Sequence, residues 1–140
     1  MRAIRLGTCE ILKVNQTLFL MSQLSQAVSI HPYFKIQSGK EDAFEALIAD
    51  FVERTSTEET CFYYDFSICG DQAFCREAYH DAAAVLRHLD NVGSIIEATG
   101  EISELYKLEF HGPASEIEQL REPLAHLNAD FYVRTNGVER

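Results

Sequence analysis

A carboxyl, a phenol and an imidazole fall close together in residues 77–89, EAYHDAAAVLRHL, as Glu77, Tyr79 and His88. Glu77 and Tyr79 are two residues apart and share one face if they end a strand. Asp81 is placed to cap a helix whose apolar stripe is Ala82, Val85, Leu86 and Leu89. At about 100° per residue, His88 lies on the border of that stripe, from which an imidazole can reach a pocket. An unperturbed pKa of about 6.5 suits it to take a proton from a phenol or enol near neutral pH. Each residue also has a structural reading: His88 can bond a backbone carbonyl or Glu77 and hold the helix, and Tyr79 can plug the end of the fold. Glu77 either orients Tyr79 or His88 or pairs with a lysine or arginine across a subunit boundary.

A second polar group lies on an earlier strand. In residues 27–36, AVSIHPYFKI, Val28, Ile30, Phe34 and Ile36 alternate with Ser29, His31, Tyr33 and Lys35, and Pro32 hints at an edge or irregularity. His31 and Tyr33 on the polar side, with Tyr63 on the mixed face of a later strand, are candidate substrate-binding residues. They can equally face solvent or a partner subunit. His80, His111 and His126 fall at turns or helix surfaces without ligand spacing and receive no role.

The elements that must position these groups follow from periodicity. QSGKED turns the chain after the first strand, with Ser38 and Glu41 as a possible capping box, and Phe44, Leu47, Ile48, Phe51 and Val52 form one helical stripe. TSTEET ends that helix. CFYYDFSIC alternates Phe62, Tyr64, Phe66 and Ile68 against Cys61, Tyr63, Asp65, Ser67 and Cys69, and Gly70 and Asp71 permit a tight reversal into AFCREAY. After the helix beginning at Asp81, Gly93 and Gly100 bracket a further short helical turn containing Ile95 and Ile96. A strand over residues 105–111 stops at Gly112 and Pro113. Ser115 and Glu118 offer another capping box for a helix lined by Ile117, Leu120 and Leu124, and DFYVRT closes the sequence of elements. The order is α+β and resembles a ferredoxin-like βαββαβ unit with an appended αβ element. Residues 25–140 are read as that domain and residues 1–24 as an N-terminal extension, in which Met21 is a possible alternative start.

Composition narrows the partners. The chain has 140 residues, of which 46% are apolar and 11% aromatic, enough for one filled core. A formal charge of -10 repels phosphate backbones and anionic lipid, so neither nucleic acid nor membrane is an expected partner. Cys9, Cys61, Cys69 and Cys75 include no C-x-x-C pair, which argues against a metal site and for thiols in a reducing compartment, with a cross-strand disulfide as the alternative. Polar residues interrupt any N-terminal run of signal-peptide length, and no segment approaches the roughly 18 apolar residues of a membrane span. The expectation is a soluble, cytoplasmic protein. Aromatics on both faces of the hairpin and first strand suggest that two subunits pack sheet against sheet as a homodimer.

From about Val28 to Leu89, the strand, the SGKED turn, the FEALI helix, the hairpin and EAYHDAAAVLRHL together resemble the antibiotic biosynthesis monooxygenase family of dimeric α/β-barrel proteins, which includes quinol monooxygenase-like enzymes. HGPASEIEQLREPL followed by DFYVRT is similar to the tail of some small members. The resemblance implies a ferredoxin-like fold, a dimeric α/β barrel and a pocket between sheet and helices for a flat organic substrate. It implies oxygenation without metal, flavin or haem: an electron-rich phenol or quinol is deprotonated and then reacts with molecular oxygen. The family also contains haem-degrading enzymes, isomerases of small dicarbonyls and proteins without established activity, and the absence of tryptophan departs from the haem-degrading branch. The resulting expectation is a cofactor-independent monooxygenase of a small quinol or phenol. His88 is its base, Tyr79 and His31 orient the substrate, Glu77 holds the ring in place, and Tyr33 and Tyr63 are at the substrate. The alternatives are a non-catalytic protein binding a small aromatic or carbonyl metabolite, and an isomerase of a small dicarbonyl.

Overall fold

The computed structural model describes residues 25–139, so the reading of residues 1–24, including Met21 and Cys9, lies outside the described part. The described elements are β1 (Val28–Ile36), α1 (Glu41–Thr55), β2 (Cys61–Cys69), β3 (Gln72–Tyr79), α2 (Ala82–Thr99), β4 (Ser103–Gly112), α3 (Ala114–Arg121) and β5 (Asp130–Val133). They form one sheet in the order β2-β3-β1-β4-β5, in which only the β4–β5 pairing is parallel. The first four strands and two helices are the ferredoxin-like arrangement, and α3 and β5 extend it at the β4 edge.

Alternation in β1 decides which side of the sheet the helices cover. Val28, Ile30, Phe34 and Ile36 are buried on one face together with Pro32, while Ser29, His31, Tyr33 and Lys35 point to the other. The β2–β3 hairpin turns through Gly70, whose φ of 61° at the first central position is the geometry of a two-residue II′ turn that matches strand twist. At the far end of β2 the alternation fails. A register irregularity between Cys61 and Tyr63 sets Cys61 opposite Tyr79, so Cys61 joins the helix-side face and packs on its core.

Helix ends differ from the expected capping boxes at two of three sites. α1 starts at Glu41 after a turn through Gly39 at φ 80°, so its N-cap is Lys40 and Ser38 lies too far back to bond it. Pro113 is the N-cap of α3, which leaves Ser115 and Glu118 inside the helix. Asp81 does cap α2: its carboxylate accepts from Ala84 N at 2.8 Å, and Glu116 of α3 accepts from Ala82 N at 2.9 Å. α2 runs unbroken through Gly93 to Thr99, because burial of Val92 and Ile95 outweighs the roughly 0.5–1 kcal/mol that a helical glycine costs.

The core is divided into three parts. One, with Val28, Ile30, Tyr79, Val85, Phe110, Ile117 and Leu120, joins α2 and α3 to the sheet. Phe34, Ile36, Phe44 and Ala73 hold the start of α1, and Phe51, Val92 and Ile95 hold its end against α2. The α1 stripe turns at its last residues: Thr55 is buried in place of Val52, which is 45% exposed. Cys61, Cys69 and Cys75 are free thiols, of which only Cys75 is fully buried. Among the described residues no helix is long and apolar enough to cross a membrane, and no group of His, Cys, Asp and Glu has the geometry of a metal site.

Candidate active site

β3 delivers Glu77 and Tyr79 to the helix-side face, and α2 lays His88 over them. All three are buried, at 3%, 0% and 2% exposure, so His88 is not on the border of its helix but within the interior. The Tyr79 hydroxyl donates to Glu77 Oε2, the same oxygen that lies 3.3 Å from His88 Nε2. The Tyr79 and His88 rings stand 4.7 Å apart between centroids.

The other imidazole nitrogen has a partner that the sequence does not advertise. Glu58, in the TSTEET segment, accepts from His88 Nδ1 at 2.9 Å and also accepts from Asn91 Nδ2 at 2.9 Å. The segment is bent for this by its own hydroxyls: Thr57 Oγ1 donates to Arg54 O at 2.8 Å and Ser56 Oγ donates to Glu53 O at 2.5 Å, wrapping the end of α1 and turning Glu58 inward. Nothing in composition or spacing separates Glu58 from the adjacent Glu59. Asn91, one helical turn after His88, is the nearest thing to a signal.

Burial pushes the Glu77 carboxyl up to about 8, with bonds from Tyr79 and Cys75 opposing the rise and the nearby Glu58 charge adding to it. Burial also lowers the His88 imidazole below its ordinary 6.5, against the pull of Glu58. Tyr79 and Tyr64 are raised by burial first and then by Glu77. With the Glu58 carboxylate accepting the Nδ1 proton, His88 Nε2 is left as an acceptor facing a carboxyl that keeps its proton near neutrality. Glu77 and His88 thus share a single proton, and a group poised in this way suits proton transfer at neutral pH.

These groups border a cavity. It has a volume of about 80 Å³ and lies where the three core clusters meet, largely enclosed by apolar side chains including Ile30, Phe34, Phe51, Val92 and Leu108. Glu77, His88 and the Tyr64 phenol are the hydrogen-bonding side chains in its wall. Tyr79 is behind Glu77 and does not line it. Tyr64, whose ring is 5.3 Å from His88, belongs in the sequence to an apolar alternation and carries no signal of a site role there.

The sheet separates the remaining candidates from this cavity. His31 and Tyr33 project from the opposite face, where His31 stands 4.5 Å from the His111 ring and Tyr33 4.8 Å from Phe74. Ser29 Oγ is 2.9 Å from His31 Nε2, and burial lowers the His31 pKa, assisted by His111. Tyr63 is on that face as well, 46% exposed with the Arg76 guanidinium over its ring. His111, assigned no role from the sequence, stacks on Tyr132 at 4.4 Å and joins this aromatic group through strand pairing. Any contact of His31, Tyr33 or Tyr63 with a substrate therefore takes place on the side of the sheet away from His88.

Comparison with known proteins agrees with this architecture. Residues 27–93 match the family model described as antibiotic biosynthesis monooxygenase. MupZ from Pseudomonas fluorescens is similar over 82% of this chain and 95% of its own, at 36% identity and a TM-score of 0.79. Protein SO0527 from Shewanella oneidensis (22% identity, 61% of this chain and 89% of its own, TM-score 0.57) shares the fold. So does Rv0793 from Mycobacterium tuberculosis (20% identity, 62% and 94%, TM-score 0.56). No curated protein matches the chain.

Proposed function

Because the chain belongs to the antibiotic biosynthesis monooxygenase family, we propose that it oxygenates a small quinol or phenol with molecular oxygen and no cofactor, using the Glu77–His88 pair as its base. The observation that carries this reading is the apolar cavity with that pair in its wall. An apolar lining suits an uncharged ring, for which a cavity of about 80 Å³ must widen, and the phenol hydroxyl is the part that must find a polar partner. The substrate proton passes to Glu77 as Glu77 yields its own to His88 Nε2, and the imidazolium is stabilised by Glu58. The electron-rich phenolate carbon then bonds to oxygen. The resulting peroxide takes a proton back from the pair and loses water, so that one phenol and one oxygen molecule give one quinone and one water. Tyr79 is a positioning residue that acts through Glu77, and Tyr64 is placed to orient the ring.

The opposite sheet face supports a homodimer: Tyr33, Phe74, Tyr106, His31, His111 and Tyr132 form a continuous aromatic group that one protomer leaves open. A second reading, a carrier of a small aromatic or carbonyl metabolite, is favoured by the almost wholly apolar lining of the cavity. An isomerase of a small dicarbonyl would use the same base without oxygen.

Oxygen consumption by purified protein against a panel of quinols and polyphenols tests the proposal, with His88→Ala as control. Uptake by the wild type and its loss in a folded His88→Ala variant are expected. Equal uptake by both removes His88 from the mechanism, and saturable binding without uptake selects the carrier.

A further inference from the structure

Two hollows lie near the buried histidine, which lines one of them and is bonded to Glu58 in the wall of the other. The inner one is the cavity described above. The outer one is an open cleft of about 310 Å³ lined by Val52, Thr55, Ser56, Glu58, Cys61 and Tyr64. Tyr64 belongs to both walls, and among the described residues the series Glu77, His88, Glu58 also connects them. Glu77 faces the cavity, His88 bridges at 3.3 Å and 2.9 Å, and Glu58, its side chain 11% exposed, reaches the cleft.

We propose that Glu58 is the proton gateway of the buried Glu77–His88 pair, passing protons between His88 Nδ1 and solvent in the outer cleft. The inference rests on the base assigned above and extends it from where a proton is taken to where it goes. When Glu77 yields its proton to His88 Nε2, the imidazole releases its Nδ1 proton to the Glu58 carboxylate, and Glu58 releases it to water. Each group gains one proton and loses one. The imidazole is left in its other tautomer, and the return of a proton from Glu58 through His88 to Glu77, which protonation of a peroxide requires, restores the first. Asn91 holds Glu58 in line by its 2.9 Å bond. The groups facing the relay from neighbouring elements are Tyr64, Cys61, Cys75 and Tyr79. Burial raises all four above their ordinary values, Cys61 to about 11, so each keeps its own proton near neutrality.

The test needs no substrate. After a pH jump across the range in which Glu77 ionises, its carboxyl absorption in the infrared, assigned with Glu77→Gln, reports the rate at which the buried pair exchanges protons with solvent. In Glu58→Gln this relaxation should slow on the order of tenfold or more, as for loss of a positioned proton carrier. In Glu58→Ala, formate entering the cleft should restore it, which a purely structural role for Glu58 would not produce. Should Glu58→Gln not fold, Glu58→Asp, which draws the carboxylate back from His88, should relax more slowly than the wild type. Unchanged relaxation in a folded Glu58 variant, or slowing that formate leaves untouched, overturns the proposal. Absence of oxygen uptake with every quinol would remove the monooxygenase reading while leaving these relaxations, and the gateway, as measured.

Discussion

Replacing Glu77 by glutamine isolates the electrostatic state of the buried pair. The amide has the shape of the acid and its NH2 can donate to His88 Nε2, but donor and acceptor then sit on different atoms, so the Tyr79 hydroxyl, which met the same oxygen, loses or shifts its bond and the variant carries a constant, pH-independent offset. What disappears is titration. Glu77 ionises near 4.5 when unfolded and near 8 in the fold, so between these values the folded protein holds a proton that the unfolded chain has released. The associated stability is fully present below pH 4.5 and is lost as pH rises to about 8. His88 acts in the opposite sense. Its pKa is lowered from 6.5 by burial, so its contribution is present above pH 6.5 and lost on acidification. The two slopes oppose each other just below pH 6.5, and above it that of Glu77 stands alone. From pH 6.5 to 8, a slope of about 1.4 kcal/mol per pH unit accumulates to about 2 kcal/mol. Urea unfolding of wild type and Glu77→Gln at several pH values across that interval should show the wild type losing about 2 kcal/mol relative to the variant. Two stability curves that run parallel would mean that Glu77 ionises normally in the fold, and the shared-proton account of the site would be wrong.

Filling the cavity should separate ligand binding from folding. Val92→Phe projects a ring into the space beside His88, and far-ultraviolet dichroism should be unchanged while binding or turnover of any small phenol is lost. On the open sheet face, Tyr33→Glu puts a charge among Phe74, Tyr106 and Lys107. Sedimentation at micromolar concentration should give a mass of two chains for the wild type and one for the variant, and a wild type of one chain would refute the pairing.

Much of the fold is legible because alternation and helical stripes report burial directly. The β1 pattern, the hairpin through Gly70 and the Asp81 cap all follow from local chemistry. Failures are local as well. Ser38 and Ser115 match a capping box in sequence, but Gly39 and Pro113 decide where the helices begin. Gly93 looks like a break until Val92 and Ile95 on either side of it are seen to be buried. In the site, Glu77, Tyr79 and His88 are found together because β3 leads straight into α2. Glu58 is thirty residues from His88 and reaches it by tertiary packing, which no spacing rule records. The placement of His31, Tyr33 and Tyr63 on the far side of the sheet follows from the same alternation that identified them as polar. What alternation does not give is which side α2 covers.

The enclosure of the cavity bears on how anything enters it. If a guest enters by the lifting of α1 from α2, the opening is resisted by Phe51 packed on Val92 and Ile95 and by the bonds from Arg54 to Asn91 O and Ser94 Oγ at 3.2 Å and 2.9 Å. Association is then paced by breathing of the protein rather than by encounter. Its rate should saturate with ligand concentration and rise steeply with temperature. For a charged ligand it should also be indifferent to ionic strength, although the net charge of -10 would steer such a ligand to an open site.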